Sequence, residues 1–289
     1  MRRYRYRIVN VFAESALSGN ALCVFEDAAG LSAGEMQALA LQFNLSETTF
    51  LFDSALASAK VRIFTPSFEM PFAGHPTLGS AHVVRSLAPR GGPVATANTD
   101  TALTLEMKAG IIPVTSCGDV WTLEARAPRT RSVTASPGEI ATMLGLAEID
   151  LSLPPLWVDT GSEQLVVPLT SSESVTRCAP DPRLLARHGK SEGREGIAYV
   201  WAYVAADRVH ARFFFLKRGS LVEDPGTGSA CANLGGWLIA QGKPLPVELR
   251  VQQGEQTGRP CQLGLRVDAE RRIFVTGKVV ELGGGEIQL

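Results

Sequence analysis

The second half of this chain repeats the landmarks of its first half, and that repetition limits the folds open to it more than any other feature. Landmarks recur in the same order at separations of 142–154 residues, close to half of the 289-residue length. Ser18-Gly19-Asn20-Ala21-Leu22-Cys23-Val24 is echoed by Thr160-Gly161-Ser162-Glu163-Gln164-Leu165-Val166, each a polar glycine turn running into an apolar strand. Val61-Arg62-Ile63-Phe64 is echoed by Ala211-Arg212-Phe213-Phe214, and Glu69-Met70-Pro71 by Glu223-Asp224-Pro225. Each proline leads into a small-residue turn and a helix-like segment, one through Ala73-Gly74-His75 and the other through Thr227-Gly228-Ser229. Strand-like segments at 102–107 and 247–251 follow. A chain built this way is expected to fold as two similar units. Each half offers many strands and one long helix. The helix at Ala230 to Ala240 has almost no charge on any face, so sheet must enclose it.

The alternation patterns predict strands near 4–12, 21–25, 48–53, 60–65, 102–107 and 119–125 in the first half. In the second half they fall near 155–159, 164–168, 197–203, 209–216, 246–251, 262–267 and 272–276. Helices are expected at 32–43, 76–87, 137–144, 181–187 and 229–241, with Ser32 and Ser136 as N-caps. Two prolines and several hydroxyl residues mark Ala127–Pro137 as the linker. The domains are expected at 1–127 and 128–279, with residues about 280–289 able to return to the first.

Composition removes several functional classes. Lys plus Arg (28) balances Asp plus Glu (29), and a net charge of −1 gives no reason for a nucleic-acid partner. No run of residues approaches the ~18 apolar positions of a membrane helix. The basic start, Met1 to Arg7, lacks the apolar stretch of a signal peptide because Asn10 and Glu14 interrupt it, so a cytoplasmic location is expected. The five cysteines are scattered and never form C-x-x-C, and the four histidines show no metal spacing. No glycine-rich nucleotide loop is recognisable. Neither a metal nor a cofactor is expected.

The residues able to do chemistry lie beside the two helix starts. Free backbone N–H groups at Gly74 and Gly228 would attract negative charge, and glycine allows a ligand close approach. Glu47, in Asn44-Leu45-Ser46-Glu47-Thr48, is either an acid–base group or the partner of Asn44 in a capping box. His75 is either a local cap or a neutral group for proton transfer. Asp224 could be a turn-stabilising residue or a site acid, and Ser229 an N-cap or a ligand-binding group. Glu69 and Glu223 hold matching positions, which suits a structural role for both. Cys231 and His82 read as packed helix residues.

These segments resemble the PhzF-like phenazine-biosynthesis family. The resemblance rests on Phe64-Thr65-Pro66 through Glu69, Pro71-Phe72-Ala73-Gly74-His75-Pro76-Thr77-Leu78-Gly79, and on Asn44 to Leu51. It rests also on Ser18-Gly19-Asn20, on Glu223-Asp224-Pro225 with Thr227-Gly228-Ser229-Ala230, and on Gln253-Gly254 with Gly258-Arg259-Pro260. Asn10, Ala21 and Gly226 depart from the family's usual Asp, Pro and Ala. The resemblance implies an α+β, diaminopimelate epimerase-like fold. Its two pseudo-symmetric domains would each wrap a β-barrel-like sheet around a central helix, with the active site between them and a homodimer as the common assembly. It implies a cofactor-independent isomerase that shifts a proton and a double bond on a small carboxylic acid. The implied catalytic residues are Glu47, His75 and Asp224, and the implied substrate-binding residues are Asn20, Gly74, Thr77, Gly228 and Ser229. Two alternatives stay open: an epimerase or racemase with opposed carboxyl groups, and a non-catalytic small-acid binding protein.

Overall fold

A computed structural model describes residues 1–87, 100–193 and 195–289. The chain divides into two compact units, Met1–Glu124 with Thr276–Leu289, and Ala125–Val275. The first contains strands β1 (Arg3–Val11), β2 (Asn20–Phe25), β3 (Glu47–Phe52), β4 (Ala59–Phe64), β5 (Glu69–Met70), β6 (Thr101–Met107), β7 (Gly110–Cys117) and β8 (Val120–Glu124). Its helices are α1 (Ala33–Phe43) and α2 (Gly74–Leu87). The second contains β9 (Arg129–Ser132), β10 (Leu156–Asp159), β11 (Glu163–Pro168), β12 (Ile197–Ala205), β13 (Arg208–Lys217), β14 (Ser220–Asp224), β15 (Val247–Gln253) and β16 (Cys261–Val267). Its helices are α3 (Pro137–Met143), α4 (Ser172–Arg177), α5 (Pro182–His188) and α6 (Gly228–Ala240). The last strand, β17 (Ile273–Gln288), begins in the second unit and continues in the first.

In the first unit the strands close a ring. From β17 the order runs through β1, β2, β3, β4, β6, β7 and β8 back to β17. Two neighbours in this ring are parallel, β2 with β3 and β4 with β6. The first parallel pair is linked by α1 and the second by α2, which threads the barrel. Helix α2 packs against β1, β2, β3, β4, β6 and β8, and its residues from His75 to Ala81 are all buried. A helix in that position approaches the wall closely: a Cβ on Gly79 would lie 2.6 Å from Leu22 Cδ2. Only glycine lets the helix lie this near the sheet.

The second unit repeats the plan. Its sheet runs β9, β10, β11, β12, β13, β15, β16, again with two parallel neighbours, β11 with β12 and β13 with β15. Helix α6 packs on β9, β10, β11 and β16, with every residue from Ala230 to Ile239 buried. The expected architecture, a barrel-like sheet around a central helix in each half, is therefore the observed one. Ser32 and Ser136 cap α1 and α3, each completing a reciprocal capping box with a glutamate three residues on.

The duplication extends to side chains. In the first unit Arg62 makes two parallel bonds to Glu69, at 2.7 and 2.8 Å, and lies over the Phe64 ring. In the second, Arg212 does the same with Glu223, at 2.9 and 2.7 Å, over the Phe214 ring. Both glutamates sit on the short hairpin strands β5 and β14, just before the turn into the central helix. Their symmetric structural role is thus explained: each fork clamps the hairpin that aims a helix start. Arg212 is the more enclosed of the two arginines, and its Nη1 also donates to the carbonyls of Val175, Thr176 and Cys178.

Several elements were not anticipated. The segment read as a linker carries β9, whose four residues are all exposed. It has no apolar alternation because it is a strand by virtue of pairing with β10, not by burial. Strands β7 and β14 and helix α4 were also missed, and β17 runs well past its expected end at 276. The Asn10 departure has a local reason: its buried amide donates to the Ala16 carbonyl at 2.7 Å, a bond an aspartate could not give.

The unequal burial of the two clamps predicts unequal consequences. Glu223→Gln should destabilise the second unit by about 3 kcal/mol, because it strands an enclosed guanidinium. Glu69→Gln, at the more solvated clamp, should cost about 1 kcal/mol. Urea unfolding of both variants checks the order.

Candidate active site

The first unit gathers three of the expected residues. Glu47 opens β3, and α1 ends just before it with Asn44 in the left-handed region (φ 52°) as its C-cap. Asn44 therefore closes a helix instead of starting one, and the capping-box role considered for Glu47 does not exist. Because β3 pairs in parallel with β2, Glu47 stands opposite Leu22, two residues from Asn20. His75 is the second residue of α2. Its Nε2 faces Glu47 Oε2 at 3.3 Å, and its Nδ1 lies 3.5 Å from Asn20 Nδ2. Asn20 and His75 are buried, while the Glu47 carboxyl keeps some exposure.

Burial dominates the chemistry of His75. It pulls the imidazole pKa from 6.5 down to about 3, against a smaller opposing effect from a hydrogen bond with the Ala21 backbone. The ring is neutral at physiological pH. One of its nitrogens then carries a proton and the other a lone pair, so it can give a hydrogen bond or take one depending on tautomer. Its place at the positive end of α2 favours the same neutral form.

The other first-unit candidates serve the helix start. Gly74 is the first residue of α2, and no acidic side chain occupies the first turn. Thr77 is fully buried, and its hydroxyl donates to the Ala73 carbonyl at 2.7 Å. That bond ties it to its own turn.

In the second unit Asp224 ends β14 and accepts a short hydrogen bond from the Thr227 hydroxyl. Gln253 holds this turn from below, with its amide nitrogen 2.9 Å from the Asp224 carbonyl and 3.0 Å from Thr227 Oγ1. The adjoining Gly254 has φ 86°, and a Cβ there would lie 2.4 Å from the Pro225 and Arg259 carbonyl oxygens. These contacts explain why a Gln-Gly pair stands at 253–254. Helix α6 then starts at Gly228 with no side-chain cap from Thr227 and no acid in its first turn. Ser229 Oγ accepts from Gln164 Nε2 at 2.9 Å. Within this unit, Asp224 and Ser229 flank one helix start but use different partners. Gln164, Asn233 and Gln253 were not named as site residues from the sequence, although Gln164 stood in a repeated landmark and Gln253 in a motif of the resemblance. A glutamine inside the apolar run of β11 was the available signal for the first.

The thiols are unsuited to acid–base work here. Burial raises the pKa of Cys231, inside α6, and of Cys23, inside β2. Among the described residues no group of three His, Cys, Asp or Glu side chains is arranged to hold a metal. No described helix is long and apolar enough to cross a membrane.

Comparison with known proteins gives consistent matches across the chain. The family described as phenazine biosynthesis-like protein matches residues 9–285. A Pasteurella multocida protein named as an uncharacterized isomerase is 39% identical, over 98% of this chain and 94% of its own. The trans-2,3-dihydro-3-hydroxyanthranilate isomerase of Pseudomonas chlororaphis is 32% identical, over 99% of this chain and 100% of its own. The crystal structure of a PhzF-family protein from Bacillus anthracis superposes with a TM-score of 0.86 at 25% identity, covering all of both chains.

The neutral state of His75 has a measurable consequence. The folded protein holds the ring unprotonated down to about pH 3, whereas the unfolded chain protonates it near 6.5. Between those values the unfolded state binds more protons, so stability rises with pH across the window and is lost as pH falls through it. His75→Gln should flatten that part of the profile, as read from urea midpoints of both proteins at several pH values.

Proposed function

Because the chain belongs to the phenazine biosynthesis-like, PhzF family, we propose that it is a cofactor-independent isomerase in which Glu47 carries a proton between two carbons of a small carboxylic acid. The observation that carries this reading is the contact between the Glu47 carboxyl and a neutral, buried His75, 3.3 Å apart at the start of an enclosed helix. Relatives named as isomerases support the reaction class.

In the proposed reaction the Glu47 carboxylate removes a proton from a carbon of the substrate. The electron pair left behind delocalises toward the neighbouring unsaturation, and the double bond moves. Glu47, now protonated, returns the same proton to the carbon at the far end of the shifted system. No atom is gained or lost, and nothing is oxidised or reduced. His75 Nε2, 3.3 Å from the Glu47 carboxyl, can donate to it or accept from it according to tautomer, so it can meet either protonation state of Glu47. Asn20, on the other side of the ring, steadies His75. Backbone N–H groups at Gly74 and at Gly228 are the groups we assign to developing negative charge. Asp224 and Ser229 are assigned to orienting the substrate's polar groups, and Thr77 to keeping the first turn of α2 in shape.

The substrate class we propose is a ring-bearing amino or hydroxy carboxylic acid with at least one movable double bond, the kind named for the Pseudomonas chlororaphis relative. We assign the enzyme as a homodimer, following the family resemblance, and keep the cytoplasmic location expected from its sequence.

The test uses trans-2,3-dihydro-3-hydroxyanthranilate and related alicyclic amino and hydroxy acids, each deuterated at the carbon that loses its proton. The wild-type protein should move the double bond and keep part of the deuterium in the product. Glu47→Gln should slow turnover by about 10³-fold or more, and His75→Gln by about 10–10²-fold. A Glu47→Gln protein that turns over at the wild-type rate refutes the shuttle. Solvent deuterium entering a stereocentre with no double-bond shift would identify an epimerase instead.

A further inference from the structure

A set of buried polar groups that the proposed proton transfer does not use converges beneath Ser229. The Thr160 backbone N–H and hydroxyl both donate to Asn233 Oδ1, at 2.9 and 2.7 Å. A backbone N–H can only donate, so the oxygen of the Asn233 amide is fixed on that side. Its nitrogen then faces the other way, donating to the Ser162 carbonyl at 2.9 Å and to Gln164 Oε1 at 2.8 Å. The Ser162 carbonyl can only accept, which requires the same orientation independently. Gln164 is fixed in turn. Its oxygen faces Asn233, so its nitrogen faces Ser229 and donates to Oγ at 2.9 Å. A hydroxyl that accepts from Gln164 must point its own proton elsewhere. The network therefore makes Ser229 a hydrogen-bond donor on its remaining side.

The first unit builds the equivalent place differently. Asn233 stands five residues after the helix-start Gly228, as Gly79 stands five after Gly74. Gln164 stands three residues after Gly161, as Leu22 stands three after Gly19. In the first unit, then, the same two places hold glycine against leucine in a dry contact. In the second they hold two amides that are 0% and 1% exposed. Burying amides is unfavourable unless their polar atoms are bonded, and the oxygen and nitrogen of both amides are bonded here. The amides sit where the helix carries Ser229, and the dry pair where it carries His75.

We propose that Asn233 and Gln164 are positioning residues that hold the Ser229 hydroxyl as a donor for the carboxylate of the substrate. This rests on the reading above that Ser229 meets the substrate. It adds a selectivity: the site takes the carboxylate in preference to its neutral carboxamide, because a carboxylate offers only acceptors to that hydroxyl.

Gln164→Glu tests this, since it keeps shape and can only accept from Ser229, and the uncharged Gln164→Leu controls for the charge it adds. The hydroxyl then turns inward and presents lone pairs to the ligand. The probes are 3-hydroxyanthranilic acid, the aromatic counterpart of the acid named for the relative, and its carboxamide, with affinities from titration calorimetry at pH 7.5. The wild-type protein should bind the acid about ten-fold more tightly than the amide. Gln164→Glu should bring the ratio within about two-fold. Gln164→Leu, which adds no charge and keeps Asn233 on Thr160 and Ser162, should fold and show an intermediate ratio. General loosening of the site would weaken both probes together and leave the ratio unchanged. An unaltered ratio in Gln164→Glu overturns the proposal, and so does a wild-type protein with no preference for the acid. Glu47→Gln should lose turnover while still binding the acid more tightly than the amide, so failure of the shuttle and failure of the Ser229 relay are read separately.

Discussion

Everything in each unit follows from enclosing a helix that has no solvent-facing side. Residues His75 to Ala81 of α2 and Ala230 to Ile239 of α6 are buried without interruption. A single apolar stripe could be covered by one sheet face, but a helix segment buried on every face needs sheet on every side. The barrel of the first unit supplies this by closing β17 and β8 into one ring. Its parallel pairs are the topological result, since a helical connection, α1 for the first and the threading α2 for the second, returns the chain in its starting direction. Burial of the helix body leaves its first turn as the place where backbone polarity can act on a ligand.

The aim of that first turn depends on a clamp. The Arg62–Glu69 and Arg212–Glu223 forks each join a core strand to the hairpin strand that delivers the chain to the helix. Two parallel charge-assisted bonds fix distance and angle together, which a single bond does not. The adjoining turn in the second unit is further held by Gln253, through contacts to Asp224 and Thr227.

The two units use this common frame for different chemistry. The first places a titratable ring at the second helix position, strips it of water and sets it against a carboxyl. The second places a hydroxyl there and backs it with Gln164 and Asn233. The side chains at the two helix starts differ, while the clamps beneath remain alike. The buried thiols of both units are excluded from acid–base roles by the environment that makes them good packing residues.

The sequence by itself determined the duplication, the fold class and the residue types at each helix start, because these are local patterns: order of landmarks, glycine turns, charge-free helices and ordered motifs. It also carried the structural pairing of Glu69 and Glu223 with their positions ahead of the helices. Only the tertiary structure decided which of two roles Glu47 takes, since that turned on Asn44 closing α1 in a left-handed conformation. It decided the protonation of His75 as well, because loss of water around an imidazole is a property of the folded surroundings and not of neighbouring residues. It revealed β9 as a strand, through pairing to β10 and not through any pattern of its own. And it alone showed Gln164 and Asn233 meeting, since hydrogen bonds between residues about 70 positions apart have no local signature.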